Sequence, residues 1–161
     1  MGIFSDIALL FKDHTTYDIG LIQAKGYRVF KQVSAEVLKP QGLTNLEWAI
    51  LGILSHSHTS MRASEVAAAL GVQPSLVSRA IISMEKNKWI KVSQGEDRRE
   101  RVLALTEKGE DGIFRIEKLM KLAMKPLIAN VATRDLIGYL RTSAQISENS
   151  KDLSLDNEEV D

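Results

Sequence analysis

Residues 89–109 read Trp89-Ile-Lys-Val-Ser-Gln-Gly-Glu-Asp-Arg-Arg-Glu-Arg-Val-Leu-Ala-Leu-Thr-Glu-Lys-Gly109. Two short runs rich in Ile, Val and Leu favour extended backbone. They clasp a tip that carries Glu96, Asp97, Arg98, Arg99, Glu100 and Arg101. Thr106 then supplies the side-chain oxygen that a helix start needs. The stretch predicts a hairpin with arginines at its apex feeding a helix, and such an apex points to contact with nucleic acid.

Just upstream, the pattern predicts two short helices joined by a tight turn. The first runs from Ser64 to Leu70 and ends at Gly71, which accepts left-handed backbone without strain. The second starts at Pro74, whose missing N–H costs nothing at a first helical position. At about 100° per residue, Val77, Ala80, Ile81, Met84 and Lys88 fall on one side of this helix. Ser75, Ser78, Arg79, Ile82, Ser83 and Lys86 fall on the other. The first side reads as core. The second is small, polar and basic, which suits a helix entering a major groove, although an ordinary solvated face has the same pattern.

Further out, residues 16–38 place Ile19, Ile22, Val29, Val33 and Val37 at helical spacing until Pro40-Gln41-Gly42 stops them. Thr44 is the expected N-cap of a helix from Asn45 to about Ser55, apolar nearly all round and therefore expected to be buried. Beyond the hairpin, Ile113, Ile116, Met120, Ala123, Leu127 and Val131 form the stripe of a long helix that Pro126 should kink or interrupt. A last helix is expected from Thr133. Residues 1–14 read as a short apolar lead, one helix at most, and the acidic tail beyond Ser147 is expected to be disordered.

Composition narrows the function. The chain has 161 residues, 44% of them apolar, and no cysteine, so disulfides, thiolate metal sites and thiol redox sensing are excluded. Its longest apolar run, Trp48 to Leu54, falls well short of the ~20 residues of a membrane span, and no basic flank marks a secretory signal. A soluble cytoplasmic protein is the expectation. The net charge of zero sums unlike parts: residues 148–161 hold six acids against Lys151, leaving 20 basic and 15 acidic residues elsewhere. Within residues 61–101 eight basic residues face five acidic ones. The tail masks a modestly basic body.

The order helix, helix, turn, helix, charged hairpin, long helix resembles the MarR family of winged helix-turn-helix regulators, and the residues match it closely. Gly42-Leu43-Thr44 with Glu47-Trp48-Ala49-Ile50-Leu51, Ser64-Glu65-Val66-Ala67 with Leu70-Gly71-Val72, and Val77-Ser78-Arg79 with Met84-Glu85-Lys86 follow the family in order. Asp97-Arg98-Arg99, then Leu105-Thr106-Glu107-Lys108-Gly109, resembles its wing and wing exit. The resemblance implies a mainly α fold with a small β-hairpin wing. Residues 42–106 would form the DNA-binding lobe, residues 1–41 and 107–147 a helical dimerisation lobe, and residues 148–161 the tail. It further implies a homodimer on a pseudo-palindromic double-stranded DNA operator, acting as a repressor. Ser75, Ser78 and Arg79 would face the major groove, with Lys86 and Arg98 near the backbone and Gln73 reaching toward a base or a phosphate. Arg99 would enter the minor groove, braced by Asp97.

Some positions depart from the family pattern. Gln73 replaces the usual capping Ser or Asp, and Ile82 stands where a polar residue is common. Arg62 replaces a capping Thr, with phosphate contact as a compensation. Lys88 replaces a helix-ending glycine, which moves the expected left-handed turn to Asn87.

Relatives often bind small aromatic acids between their lobes, and Tyr27, Phe30, Trp48 and His56, with Tyr17, are the candidates to line such a pocket, although Trp48 also reads as plain core. Metal binding is set aside, because His56 and His58 sit two apart on a loop with only His14 besides. No nucleophile elbow or phosphate loop supports catalysis, and no cofactor is implied. The remaining alternative is a winged-helix protein-interaction module without DNA binding, which the acidic tail and the weak positive charge favour.

Overall fold

The computed structural model describes residues 16–95, 97 and 100–149, with backbone alone at 16, 18 and 19. The expected apolar lead at residues 1–14 lies outside the described residues, as does the expected acidic tail of residues 148–161 from residue 150 onward. The chain divides into two compact units, between Lys125 and Pro126.

The first unit runs through α1 (Thr16–Leu38), a 3-10 turn (Lys39–Gln41), α2 (Asn45–Ser57), β1 (Met61–Arg62), α3 (Ala63–Leu70), α4 (Pro74–Lys86), β2 (Ile90–Gln94), β3 (Arg101–Leu105) and α5 (Glu107–Met124). It is mainly helical with a small antiparallel sheet, the fold class that the sequence predicts. The wing has three strands rather than two, in the order β1-β3-β2. β2 and β3 pair from Ile90↔Leu105 to Gln94↔Arg101. β1 adds Met61↔Leu103 and Arg62↔Val102 on the far side of β3. A two-residue strand has no periodicity of its own, and only its distant partner defines it.

Local chemistry sets the boundaries. Proline in the 3-10 turn and left-handed Gly42 (φ 67°) end α1, and the Leu43 N–H closes the terminus on the Leu38 carbonyl at 3.2 Å. Thr44 and Glu47 then cap α2 reciprocally: the Glu47 N–H donates to Thr44 Oγ1 at 3.2 Å, and the Thr44 N–H donates to Glu47 Oε2 at 2.7 Å. This accounts for a carboxylate that is 5% exposed. The buried Ser34 hydroxyl donates to Asn45 Oδ1 at 2.7 Å and ties α1 to the start of α2.

The core lies where α2, α4, α5 and the sheet meet. Ile50, Leu51 and Leu54 come from α2, Val77, Ile81 and Met84 from α4, Ile90 and Leu103 from the strands, and Ile116 and Met120 from α5. Each such aliphatic side chain contributes about 1.5–3 kcal/mol by leaving water. Trp48 departs from the expectation of full burial on α2 and stays half-exposed. α1 lies against α5, yet Ile22, Val29 and Phe30 of α1 and Phe114, Leu119 and Leu122 of α5 remain exposed.

α5 gives way to a 3-10 turn (Lys125–Ile128) at Pro126, the interruption expected there. In the second unit α6 spans Thr133–Asn149, starting where the sequence predicts and reaching past the expected onset of the tail at Ser147. None of its residues is buried, and Ile137, Tyr139, Leu140 and Ile146 are exposed.

Candidate nucleic-acid interface

α3 ends in paired hydrogen bonds around left-handed Gly71 (φ 62°): its N–H donates to the Ala68 carbonyl, and the Val72 N–H donates to the Ala67 carbonyl, both at 3.1 Å. The chain turns, and α4 leaves at 118° to α3, the geometry of a helix-turn-helix. Gln73 stands at the N-cap of α4 without making a side-chain cap hydrogen bond, and Pro74 follows it. The Gln73 side chain is exposed.

The two faces of α4 separate except at Ser83, which is expected on the outer face and is half-buried. Val77, Ala80, Ile81 and Met84 are buried. Ser75, Ser78, Arg79, Ile82 and Lys86 are exposed, Ile82 by 63%. Arg79 Nε reaches back to the Ser75 carbonyl at 3.5 Å, which lays the guanidinium along the outer face. Lys88, expected beside the core residues, is exposed.

At the end of α4 the left-handed residue is Lys88 (φ 59°), whereas Asn87 keeps φ −85°. The expectation at Asn87 is therefore corrected. The Lys88 N–H donates to Glu85 at 2.9 Å, and the Trp89 N–H donates to Met84 at 2.9 Å. This pairing places the left-handed turn one residue before an apolar residue that packs back on the helix. That residue is Trp89, only 3% exposed.

Trp89 fills a notch made by two glycines of α5. A Cβ at Gly112 would stand 2.2 Å from Trp89 Cζ3, and one at Gly109 would stand 2.2 Å from the Trp89 carbonyl oxygen. Lys108 Nζ covers the ring at 4.5 Å from its centre and donates to the Asn87 carbonyl at 2.7 Å. Thr106 closes the same junction. Its Oγ1 accepts the Gly109 N–H at 3.1 Å as the predicted N-cap, and donates to the Lys88 carbonyl at 2.6 Å. The end of α4, the start of the wing and the start of α5 are thus locked together.

At the hairpin tip the Gly95 N–H donates to the Glu100 carbonyl at 3.0 Å, and the Glu100 N–H donates to the Asp97 carbonyl at 2.9 Å. Asp97 is exposed in this bend. Arg98 and Arg99 lie outside the described residues.

Arg62 has a role that reading the sequence missed. Its side chain, set at the junction of β1 and α3, joins two carboxylates: NH2 lies 3.0 Å from Glu65 Oε1 and NH1 lies 3.1 Å from Glu100 Oε1. Its backbone N–H also donates to Glu65 Oε2 at 2.8 Å, half of a capping box in which arginine supplies no acceptor. The Glu100 hydrogen bond, then that of Glu65, raises the guanidinium above its ordinary value. The Arg62 backbone N–H, then its side chain, holds the Glu65 carboxyl below its ordinary value. Glutamate three residues after Arg62 was the available signal, but nothing local pointed to Glu100.

Of the four aromatic-pocket candidates, Trp48 and His56 line one open hollow of about 710 Å³, with Ile53, Leu70, Ile113 and Glu117. Tyr27 and Phe30 are not among its lining residues and stand exposed on α1, with Lys31 Nζ 5.9 Å from the centre of the Tyr27 ring. Tyr17 is exposed as well. Among the described residues, no three His, Asp or Glu are grouped to hold a metal ion. No single helix among them is long and apolar enough to cross a membrane.

Two helices at 118°, an exposed polar face on the second and a three-stranded wing define a winged helix-turn-helix. Residues 41–100 match the MarR family model. The HTH-type transcriptional regulator YwoH of Bacillus subtilis strain 168, itself uncharacterized, is 31% identical over 108 residues, 67% of this chain and 78% of that protein. The structure of AbsC, a MarR family transcriptional regulator from Streptomyces coelicolor, is similar with a TM-score of 0.73 at 25% identity, over 85% of this chain and 96% of that one. Bordetella bronchiseptica BpsR, whose DNA binding is regulated by 6-hydroxynicotinic acid, matches with a TM-score of 0.72 at 15% identity, over 83% of this chain and 96% of that one. The chain belongs to the MarR family of transcriptional regulators.

Proposed function

We propose that the protein is a homodimeric repressor that reads a pseudo-palindromic duplex operator and is released by a small aromatic acid. The observation that carries this reading is the outer face of α4, where Ser75, Ser78, Arg79 and Lys86 are exposed on a helix whose other face is locked in the core. Small side chains allow close approach to base edges, Arg79 supplies a bidentate donor for guanine, and Gln73 extends an uncapped arm from the helix start. Lys86 and Arg98 serve the backbone. Arg99, braced by Asp97, occupies the minor groove, where narrow A·T tracts concentrate negative potential.

Residues 42–106 are the DNA-binding lobe in this reading, and residues 1–41 and 107–147 form the dimer lobe. The apolar side chains left exposed on α1, α5 and α6 support a second copy as their cover. Two-fold symmetry then sets half-sites roughly 34–36 Å apart. The hollow between Trp48, Leu70 and Ile113 has mainly apolar walls, with Ser55, His56 and Glu117 as polar side chains. That BpsR responds to a hydroxylated aromatic acid supports the same chemistry here.

The test is binding to random duplex DNA across a salt series, followed by selection of bound duplexes from a random pool. A steep fall of affinity with salt and a recovered palindrome are expected, because each neutralised phosphate releases counterions. A salt-independent or absent interaction favours the protein-interaction module. Thermal shift with a panel of aromatic acids tests the effector, and the absence of any shift removes it.

A further inference from the structure

The Arg62 cluster is a fully partnered polar arrangement outside the outer face of α4, and a phosphate contact by Arg62 leaves its pairing with Glu100 unexplained. Arg62 sits at the joint of the two elements that border a DNA backbone in this architecture, the start of the first helix of the motif and the root of the wing. Its side chain is 51% exposed, and that of Glu100 is 34% exposed. Glu65 needs no guanidinium to stay in place, because the Arg62 backbone N–H already holds its other oxygen at 2.8 Å. Glu100 has no such anchor on the helix. It reaches across the hairpin by folding over Gly95, where a Cβ would stand 2.9 Å from both Glu100 Cβ and Glu100 Oε2. The pair borders an open hollow of about 620 Å³ together with Gln94, Gly95 and Val102.

One guanidinium between two carboxylates leaves a local charge of −1 on a surface that has to approach phosphates. An exposed ion pair is weak and easily exchanged, and the two non-bridging oxygens of a phosphodiester accept the same guanidinium donors as a carboxylate. We propose that Arg62 is a DNA-backbone contact which Glu100 occupies in the free protein, so that the Glu100 carboxylate stands in for a phosphate and is displaced by it on binding. The inference rests on the reading of the chain as a DNA binder.

The test measures duplex binding over a salt series for the full chain and for Glu100→Gln, Arg62→Met and the double variant, with Glu100→Ala as a second form of the glutamate change. Glu100→Gln and Glu100→Ala should bind about two- to fivefold more tightly, the range set by the loss of an exposed competing pair. Arg62→Met should bind more weakly and lower the salt slope by about 0.9, the loss of one phosphate contact. In the Arg62→Met background the gain from Glu100→Gln should vanish. A brace that merely holds the wing predicts the opposite sign for Glu100→Gln, and weakened or unchanged binding overturns the proposal. A gain that persists without Arg62 also overturns it, because it would be a general effect of removing an acid. If the unaltered chain binds no duplex at all, the DNA reading has failed and this inference falls with it; binding by the unaltered chain with either wrong pattern refutes the inference alone.

Discussion

Replacing Gly112 by alanine forces a methyl group into the space of Trp89. The added carbon would lie 2.2 Å from Cζ3, 3.0 Å from Cη2 and 3.2 Å from Cε3 of the indole. Restoring an ordinary 3.4 Å contact with Cζ3 needs a shift of about 1.2 Å. The ring is 3% exposed and covered by Lys108, and its own backbone is fixed by hydrogen bonds to Met84 and from Thr106. A rotamer change therefore cannot relieve the clash. Overpacking of this kind costs about 1–3 kcal/mol, and the blocked escape places it near the upper end. Alanine returns about 1 kcal/mol of helix propensity, so the expected net loss is about 2 kcal/mol. Gly52 on α2 is the control, because a Cβ there meets nothing within 4 Å. Gly52→Ala should gain about 1 kcal/mol from propensity alone. Urea unfolding followed by far-UV circular dichroism, at one fixed protein concentration because association shifts apparent stability, reads both. If Gly112→Ala matches or exceeds the unaltered chain while Gly52→Ala rises as expected, the notch does not hold Trp89 and the reasoning is wrong.

Three further outcomes follow from the same junction and from the Arg62 cluster. Lys88→Gly should stabilise by about 1 kcal/mol, because it removes the side-chain strain of a left-handed residue while keeping both terminal hydrogen bonds; a loss in chemical denaturation would contradict it. Thr106→Ala should cost about 1–2 kcal/mol, with Thr106→Ser retaining most of the stability, since the hydroxyl both caps α5 and satisfies the Lys88 carbonyl. Glu65 has a folded-state value below its unfolded one, so its contribution is complete above its ordinary value of 4.5 and is lost as pH falls through the lower folded value. Glu65→Gln should accordingly flatten the acid side of the stability profile in that window, and an unchanged profile would show that the cap does not titrate there.

The parts that proved legible in the sequence are those written in local chemistry. Thr44, Gly71, Pro74, Thr106 and Pro126 each act on backbone within a few residues, and all five stand where the structure starts, turns or stops a helix. The inner face of α4 followed from spacing alone for Val77, Ala80, Ile81 and Met84, though not for Lys88. What escaped depends on partners far along the chain. β1 exists only because β3, some forty residues later, pairs with it. Lys88 takes the left-handed turn because Trp89 must bury itself in glycines of α5, which outweighs the intrinsic preference of Asn87. The spacing of Gly109 and Gly112 within an otherwise strong helix was a signal for that notch. Trp48 and His56 share a hollow because they are eight residues apart on one helix, whereas Tyr27 and Phe30 belong to another surface. The link from Arg62 to Glu100 spans 38 residues and had no signature at all.

The division of α4 has a consequence for how such proteins diverge. Ser75, Ser78, Arg79, Ile82 and Lys86 are exposed and none belongs to the core cluster, with only Ser83 half-buried on that face. Exchanging Ser75, Ser78, Arg79, Ile82 or Lys86 should change stability by no more than about 0.5 kcal/mol. A new preference can therefore be written on this helix one residue at a time, through intermediates that all remain folded.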